Sequence, residues 1–327
     1  MNKTNLFLLV ALVIQAILIA IIALPKGETA TGNAVALLPD FNSDAVTAIT
    51  ITNGADGKQI RLAKLDNGTW GLADIDNYPV QDDRITSLFS TLAVLDTSRL
   101  VSDNETNQRR LKVADEDYER KVEIFQGDQT ITLYVGSSGG ANATHTRVSG
   151  TNEVYLNRDV SGTSISTEIT TWAKTEYIAV DSTKVVSMTL TNANGTFEFE
   201  KVNDVWQMVG LAEGETFNEE NFTALLDKIV AFNLRKPLGI EALPEYGMDT
   251  PLATVKIVVR DTLVSGEDEN STGQTLDTTY ELIIGARYED GYAVKSSKSD
   301  FYVLASAFYA TDFTEETRAE FLVAVEN

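Results

Sequence analysis

Few residues of this chain are of a type that performs covalent or acid–base chemistry. The sequence contains no cysteine and one histidine, His145. The absence of cysteine excludes disulfides, thiol catalysis, cysteine-ligated zinc sites and a lipid-modified N-terminal cysteine. Any histidine-based catalysis must use His145, and a catalytic base needs a positioned partner. No partner motif accompanies it, so the sequence predicts an exposed strand residue at His145 without a catalytic role.

The glycine-rich and acidic segments match no established binding motif. Ser137–Asn142 (SSGGAN) lacks the Walker spacing and lies between two predicted strands, which favours a hairpin turn over a phosphate loop. The acidic clusters at 103–105, 115–117 and 267–269 lack the glycine and the final glutamate of an EF-hand loop. We expect solvated loops there, with weak calcium binding as the alternative. The sequence therefore predicts no catalytic, cofactor-binding or metal-binding residue, and no cofactor.

Composition and charge narrow the function classes further. The 327 residues suffice for about two domains, and a hydrophobic fraction of 43% is typical of a globular chain. The 26 basic and 48 acidic residues give a formal charge of −22. This charge argues against a nucleic-acid partner, because phosphate binding needs clustered cations. A hydrolase that uses two carboxylates remains an alternative, because a chain with so many acidic residues always contains some possible carboxylate pair. The sequence singles out no such pair.

The segment Leu6–Leu24 is predicted to be an uncleaved membrane anchor. It has 19 residues, of which only Gln15 is polar, and as a helix it would extend about 28 Å, close to the hydrocarbon thickness of a bilayer. A cleaved signal peptide, the alternative, has a shorter apolar core that ends at a small-residue cleavage site. Lys3 and the amino terminus outweigh Lys26, which favours an extracytoplasmic body. The sequence thus predicts a single-pass protein of the cell membrane that contacts the lipid bilayer through residues 6–24.

The rest of the chain consists of two predicted copies of one unit. Each copy opens with two alternating strands joined at a turn, Asn53-Gly54 or Asn194-Gly195. Each copy then reaches a tryptophan, Trp70 or Trp206. Because these tryptophans occupy matching places, we expect both to pack in a core and not to serve as ligand platforms.

A helix with the same apolar spacing follows in each copy. Apolar residues recur at i, i+3, i+4, i+7 and i+10, which marks one helical face. Thr216 and Glu219 have the spacing of a capping box before the second helix. Asp82 and Asp83 fall in the first turn of the first helix, where the helix dipole favours them. The apolar positions are Ile85, Leu88, Phe89, Leu92 and Leu95 in the first copy, and Phe222, Leu225, Leu226, Ile229 and Phe232 in the second.

Four predicted strands complete each copy in the same order. The first copy joins the first two of these strands through a tight turn at 126–129, whereas the second copy carries a polar, acidic insertion at 262–279. An insertion at a hairpin tip costs little stability, and we expect this one to be disordered. The predicted strands are 121–125, 130–136, 144–148 and 153–157 in the first copy, and 254–259, 280–285, 291–295 and 300–304 in the second.

Several short motifs accompany these elements. They are an arginine after each helix (Arg99, Arg235), a Tyr-Gly-Met-Asp-Thr-Pro segment (Tyr246–Pro251), a glycine at a strand end (Gly136, Gly285) and a tyrosine in the final strand (Tyr155, Tyr302). The first copy departs from the second of these motifs, because Leu111-Lys-Val-Ala-Asp115 has neither its glycine nor its proline.

This combination resembles the domain-of-unknown-function 4340 family of prokaryotic membrane-anchored proteins. The resemblance covers about residues 45–310. It implies no known enzyme activity. It also implies that the protein works together with an ABC-type export or gliding-motility-like system. This association belongs to the family and does not follow from these residues.

The expected fold is α+β: an N-terminal transmembrane helix followed by two tandem, related units, each a mostly antiparallel sheet packed by one main helix. The expected segments are an anchor at 1–27, a linker at 28–44, a first repeat at 45–160, a connector at 161–183 with Trp172 on a short helix, a second repeat at 184–310 and a C-terminal helix at 311–327.

The expected function is that of a non-catalytic, membrane-tethered extracytoplasmic scaffold or accessory subunit with membrane-protein partners in a transport complex. The alternatives are an extracytoplasmic glycan- or peptide-binding module and a carboxylate-based hydrolase. An acidic cleft at the junction of the copies would favour the alternatives, and a broad apolar or mixed patch would favour the scaffold.

Overall fold

The computed structural model describes residues 34–263 and 274–324. Of these, residues 34–59 and 87–166 form one compact unit, named unit A here, and residues 60–86 and 167–324 form a second, unit B. The helices are α1 (Asp82–Ala93), α2 (Ile169–Trp172), α3 (Glu219–Val230) and α4 (Ala307–Thr314). The strands are β1 (Val46–Asn53), β2 (Gln59–Lys64), β3 (Trp70–Leu72), β4 (Tyr78–Pro79), β5 (Leu100–Ser102), β6 (Val113–Ala114), β7 (Asp117–Tyr118), β8 (Arg120–Gln126), β9 (Gln129–Gly140), β10 (Ala143–Val148), β11 (Val154–Arg158), β12 (Val185–Asn192), β13 (Gly195–Val202), β14 (Val205–Met208), β15 (Lys236–Gly239), β16 (Ala253–Leu263), β17 (Gln274–Tyr288), β18 (Gly291–Ser296) and β19 (Tyr302–Ser306).

The main sheets of the two units share one strand order. In unit A the order is β1-β8-β9-β10-β11-β5, and in unit B the corresponding six strands run β12-β16-β17-β18-β19-β15. All neighbouring pairs are antiparallel. The opening hairpins match as well, because Trp70 lies opposite Lys64 and Trp206 lies opposite Lys201. The prediction of a mostly antiparallel α+β fold with repeated sheets is confirmed.

Alternation along the strands separates a buried face from an exposed one. In β13, Phe197 and Phe199 are buried while Glu198 and Glu200 are exposed. The apolar stripe of α3 supplies Phe222, whose ring centroid lies 4.5 Å from that of Phe199 and 4.7 Å from that of Trp206. Trp206 is half-buried in this contact and Trp70 is buried. Both predicted helical faces are confirmed, except that Phe89 is only half-buried and that Leu95 and Phe232 follow the helix ends.

The capping box predicted for α3 is wrong. The helix begins at Glu219, so the N-cap is Asn218, whose side chain accepts a hydrogen bond from the Asn221 backbone N–H. The carbonyl of Thr216 instead accepts from Val323 N–H at 2.9 Å. Asp82 and Asp83 do occupy the first turn of α1, as predicted.

The predicted C-terminal helix at 311–327 is also wrong in its bounds. The helix α4 is N-capped by Ser306 and ends at Thr314, and a separate 3-10 turn covers Arg318–Phe321. A capping box between Thr317 and Glu320 starts that turn, so the helical axis breaks before it. Phe321 is fully buried against Phe197 and Phe199, so this segment belongs to the core and not to the surface. Residues 325–327 lie outside the described residues.

The predicted linker and insertion differ from the structure at their edges. Leu37 and Leu38 are buried, and the Gln126 side chain donates to the carbonyl of Asp40, so the end of the linker at 28–44 is part of unit A and not a spacer. Thr262 pairs with Thr275, so strands occupy both ends of the predicted insertion at 262–279. Residues 264–273, where disorder was expected, lie outside the described residues.

The predicted anchor at Leu6–Leu24 also lies outside the described residues. Within residues 34–263 and 274–324, no helix has the length and apolar character needed to cross a bilayer.

Unit B incorporates the β2–β4 segment of the first predicted repeat. The Tyr78 hydroxyl donates to the carbonyl of Lys174 at 2.9 Å, and its ring lies 4.9 Å from that of Phe301. The Asp76 carboxylate accepts from the backbone N–H of Ile240 at 3.0 Å. The connector helix α2 buries Trp172 in the same unit. Unit B therefore takes residues 60–86 from the first predicted repeat, whereas unit A contains no residue of the second.

The carboxyl group of Glu316, just after α4, makes the stability of unit B sensitive to pH. Burial and the neighbouring carboxylates of Glu320 and Asp312 raise the pKa of Glu316 to about 7, and Lys228 offsets this only in part. The folded chain therefore favours the protonated form, and this stabilisation is lost as the pH rises through about 7. Because the group keeps solvent access, we expect a loss of roughly 1–2 kcal/mol between pH 5 and pH 8.

We expect Glu316→Gln to remove this dependence, since the amide mimics the protonated acid. Urea unfolding of both proteins at several pH values measures it, with the exposed neighbour Glu315→Gln as the control. An unchanged pH slope in Glu316→Gln would show that another group is responsible.

Candidate functional site

In both sheets a backbone carbonyl rests directly on a strand glycine. A Cβ atom on Gly136 would lie 2.2 Å from the carbonyl oxygen of Leu111, and a Cβ atom on Gly285 would lie 2.0 Å from that of Tyr246. No side chain fits at such a distance, so glycine is required at both places. We name the crossing segments the first clamp (residues 105–118) and the second clamp (residues 243–251).

The two clamps share a left-handed residue despite their different sequences. Gly247 has φ +64° and Lys112 has φ +58°. Glycine adopts this conformation freely, whereas lysine pays about 1 kcal/mol for it. The segment Leu111–Asp115 thus departs from the Tyr-Gly-x-Asp-x-Pro pattern in sequence but keeps the left-handed residue at Lys112.

A cationic side chain occupies the same register position in each sheet. Arg147 faces Tyr134 on β9, and Lys295 faces Ile283 on β17, two matching positions. Each cation reaches the backbone carbonyl four residues ahead, Thr151 at 3.0 Å in the first sheet and Ser299 in the second. Burial lowers the pKa of Lys295.

The tyrosines expected in the final strands are present, Tyr155 in β11 and Tyr302 in β19, but they occupy different register positions. Val294 pairs with Val303, and Thr146, its counterpart, pairs with Tyr155. Tyr155 and Tyr302 are thus one register position apart and point to opposite sheet faces. Tyr302 instead matches Val154, and both contact their clamp: Tyr302 lies 5.3 Å from Tyr246, and Val154 clusters with Leu111.

The first clamp encloses a polar cleft. Here the short hairpin β6–β7 folds over Arg147, which is 2% exposed. Arg147 donates from Nε to the carbonyl of Val113 at 2.7 Å and from its terminal nitrogen to Oδ1 of Asp115. The guanidinium also stacks 4.6 Å from the ring centre of Tyr134. The cleft beside this pair has a volume of about 520 Å³ and is lined by Glu105, Thr106, Gln108, Arg109, Ala114, Asp115 and Glu116.

Gln108 is the most unusual residue of this cleft. It is 6% exposed, and its side-chain amide makes no hydrogen bond with any residue that the structure describes. Fully occluded polar side-chain atoms of the described chain all have partners, so the Gln108 amide must reach solvent. It does so in the cleft that it lines. Its donors and acceptor are thus available there for a ligand.

His145 is buried on β10, and the prediction of an exposed residue is wrong. The strand lies between β9 and β11, and His145 is 9% exposed. Nδ1 is 2.7 Å from the carbonyl oxygen of Ser137, which can only accept, so Nδ1 carries the proton. The Ser137 hydroxyl donates to the carbonyl of Leu111 at 3.2 Å. His145 and Ser137 are therefore not arranged as a catalytic base and its nucleophile.

The remaining predicted motifs have structural places. The glycine-rich run continues β9 and turns at Ala141-Asn142, which confirms a hairpin turn. Of the acidic clusters, Asp115 binds Arg147 and Asp117 lies 2.7 Å from Lys112, and residues 267–269 lie outside the described residues. In the described ranges, no three acids or histidines converge as metal ligands.

Sequence reasoning missed Gln108 and Arg147. A charged residue within the otherwise uncharged THTRV strand was an available signal for Arg147, whereas nothing in the sequence places Gln108 under a clamp.

Comparison with known proteins gives one match. A family profile described as "Domain of unknown function (DUF4340)" matches residues 70–251. The match begins at Trp70 and ends at Pro251 of the second clamp, a narrower span than the 45–310 expected from the motifs. No curated protein and no solved structure matches the chain.

Proposed function

Because this chain belongs to the DUF4340 family, whose description assigns no activity, we propose a function from its structure: a non-catalytic, membrane-tethered docking module with its body outside the cytoplasm. The cleft of the first clamp carries the proposal. It presents charged groups and an unpartnered amide on a rigid antiparallel sheet, an arrangement suited to holding another molecule in a fixed position.

The geometry around His145 supports a non-catalytic role. Its Nδ1 proton is directed at the carbonyl of Ser137, and burial keeps the ring away from any substrate. In the second sheet, Ala293 occupies the register position that corresponds to His145, so the matching sheet forms without an imidazole there. His145 therefore acts as a packing residue in this account.

The apolar segment Leu6–Leu24 supports the membrane attachment. Lys3 before this segment supports an extracytoplasmic body. We place the module in an ABC-type transport or gliding-like assembly as an accessory subunit with membrane-protein partners. The acidic composition of the chain keeps its body off anionic lipid headgroups, which suits a domain that binds protein and not lipid.

The alternative of a glycan- or peptide-binding module is favoured by the same cleft. The residues that line it include no aromatic side chain on which a sugar ring could stack. Amide, carboxylate and hydroxyl groups instead match the polar groups of a peptide. The peptide form of this alternative is therefore the stronger one.

A reporter fused after Asn327 tests the topology. We expect activity from a reporter that works only in the extracytoplasmic space, and none from its cytoplasmic counterpart. A second fusion, with Leu12 and Leu18 both replaced by Arg, should reverse the result, because charges at the centre of the segment prevent insertion. A cytoplasmic signal from the unaltered chain would contradict the proposal.

We expect His145→Ala to leave cellular function intact. The substitution removes a buried ring and its hydrogen bond to the carbonyl of Ser137, and should cost about 2–4 kcal/mol of stability. Complementation of a deletion strain, together with the melting temperature of the purified chain, measures both effects. Loss of function in a stably folded His145→Ala protein would overturn the non-catalytic assignment.

A further inference from the structure

We propose that the cleft of the first clamp binds a peptide through a basic side chain, the ammonium of lysine or the guanidinium of arginine. The inference rests on the docking role proposed above and specifies the chemistry of the partner. It also makes this cleft, on one of two otherwise matching sheets, the specific binding site of the chain.

The charges of the cleft select a cation. Glu105, Asp115 and Glu116 line it together with Arg109, and Arg147 pairs with Asp115, so one acidic charge remains in excess. Arg147 holds Oδ1 of Asp115, which fixes the carboxylate, while its side chain remains 65% exposed. Oδ2 makes no hydrogen bond with a described residue. A carboxylate fixed in this way binds a cation without first losing side-chain entropy.

Gln108 supplies the second, independent indication of a ligand. Gln108 is 6% exposed, and its amide reaches solvent in the cleft, so a ligand bound there meets its donors and acceptor. A peptide group offers one donor and one acceptor, which match the carbonyl and the NH₂ of Gln108. The cleft thus offers the Gln108 amide to the backbone of the peptide and the carboxylates to its basic side chain.

Comparison with the second clamp shows that a clamp can cover its strand glycine without the polar groups of the cleft. Four residues before its left-handed Gly247 stands Leu243, where the first clamp has Gln108. Three residues after Gly247 stands Thr250, where the first clamp has Asp115. The second clamp still covers its strand glycine and its sheet. The polar groups of the first clamp are therefore additions to a shared framework.

The size of the cleft fits a short peptide segment. Its volume of about 520 Å³ lies within the range of roughly 300–1,000 Å³ typical of ligand sites. Three carboxylates disfavour a phosphate or another anion. A free amine shares the cationic chemistry but cannot pair with Gln108 through a peptide group.

Titration of the purified full chain with synthetic peptides tests the inference. The probes are acetyl-Gly-Lys-Gly-amide, acetyl-Gly-Arg-Gly-amide, the neutral acetyl-Gly-Gln-Gly-amide and free n-butylamine, followed by isothermal calorimetry. We expect the Lys and Arg peptides to bind at least tenfold more tightly than the neutral peptide and the free amine. Binding should weaken with added salt, because the cation and the carboxylates are near the surface.

Three variants assign the binding to the cleft. We expect Gln108→Leu, which introduces the residue of the second clamp, to weaken the Lys peptide about tenfold without changing the net charge. Glu116→Gln should weaken it about fivefold. Glu245→Gln, an exposed acid of the second clamp, is the matched control and should bind as the unaltered chain does. Circular dichroism and melting temperatures establish that each variant is folded.

The outcomes separate this inference from the proposed function. Equal binding of basic and neutral peptides, no binding of any peptide, or unchanged binding in folded Gln108→Leu would overturn the inference while leaving a docking role at another surface. If the basic peptides bind selectively but the topology reporter is active in the cytoplasm, the inferred binding site stands and the proposed extracytoplasmic function is contradicted.

Discussion

Gly285→Ala is expected to destabilise unit B by about 3 kcal/mol. The new Cβ atom would lie 2.0 Å from the carbonyl oxygen of Tyr246, a backbone atom that cannot move aside as the end of a flexible side chain can. To relieve the contact, the second clamp must lift from the sheet, which exposes the buried ring of Tyr246. Urea unfolding of the full chain, followed by tryptophan fluorescence, measures the loss.

Gly162→Ala is the matched control for this prediction. A Cβ atom on Gly162 would meet its nearest neighbour, the Arg120 side chain, at 3.6 Å, an ordinary contact. We expect a change within about 0.5 kcal/mol for this variant. Equal stability of Gly285→Ala and Gly162→Ala would mean that the second clamp does not rest on the strand as described.

Phe321→Ala is expected to cost about 3–5 kcal/mol. The ring is fully buried, 5.4 Å from that of Phe197 and 4.9 Å from that of Phe199, so its removal leaves a cavity in the core of unit B. Phe308→Ala is the control, because this phenylalanine is 79% exposed. Calorimetric melting of both variants compares them. A small effect of Phe321→Ala, similar to that of Phe308→Ala, would show that the C-terminal turn is not part of the core.

Periodicity predicted the elements of this fold well, because alternation and helical spacing report directly on burial. The stripe from Phe222 to Ile229 and the alternation in β13 are local properties that the sequence displays. Register is different, because it depends on which residues lie opposite each other. Tyr155 and Tyr302 both fall in final strands, yet they lie one position apart, and no local pattern reveals this shift.

The candidate site was hidden from the sequence for a physical reason. Glycine is the residue expected at a left-handed position, so the lysine at 112 did not indicate that the first clamp has a left-handed residue like that of the second. Arg147 is buried because the clamp that covers it comes from over thirty residues earlier in the chain. Gln108 lies in a short polar stretch, and its burial depends on the same long-range contact.

In-cell photo-cross-linking tests most directly the claim that the chain works by contact through the first clamp. A photoreactive amino acid replaces Thr106, an exposed residue of the cleft, or Thr250, an exposed residue of the second clamp, and adducts are sequenced by mass spectrometry. We expect position 106 to give an adduct with a membrane protein, joined at a peptide that contains Lys or Arg. Gln108→Leu should abolish this adduct, and position 250 should not give it. The same adducts from both positions, or none from position 106 in cells where the chain is functional, would contradict it.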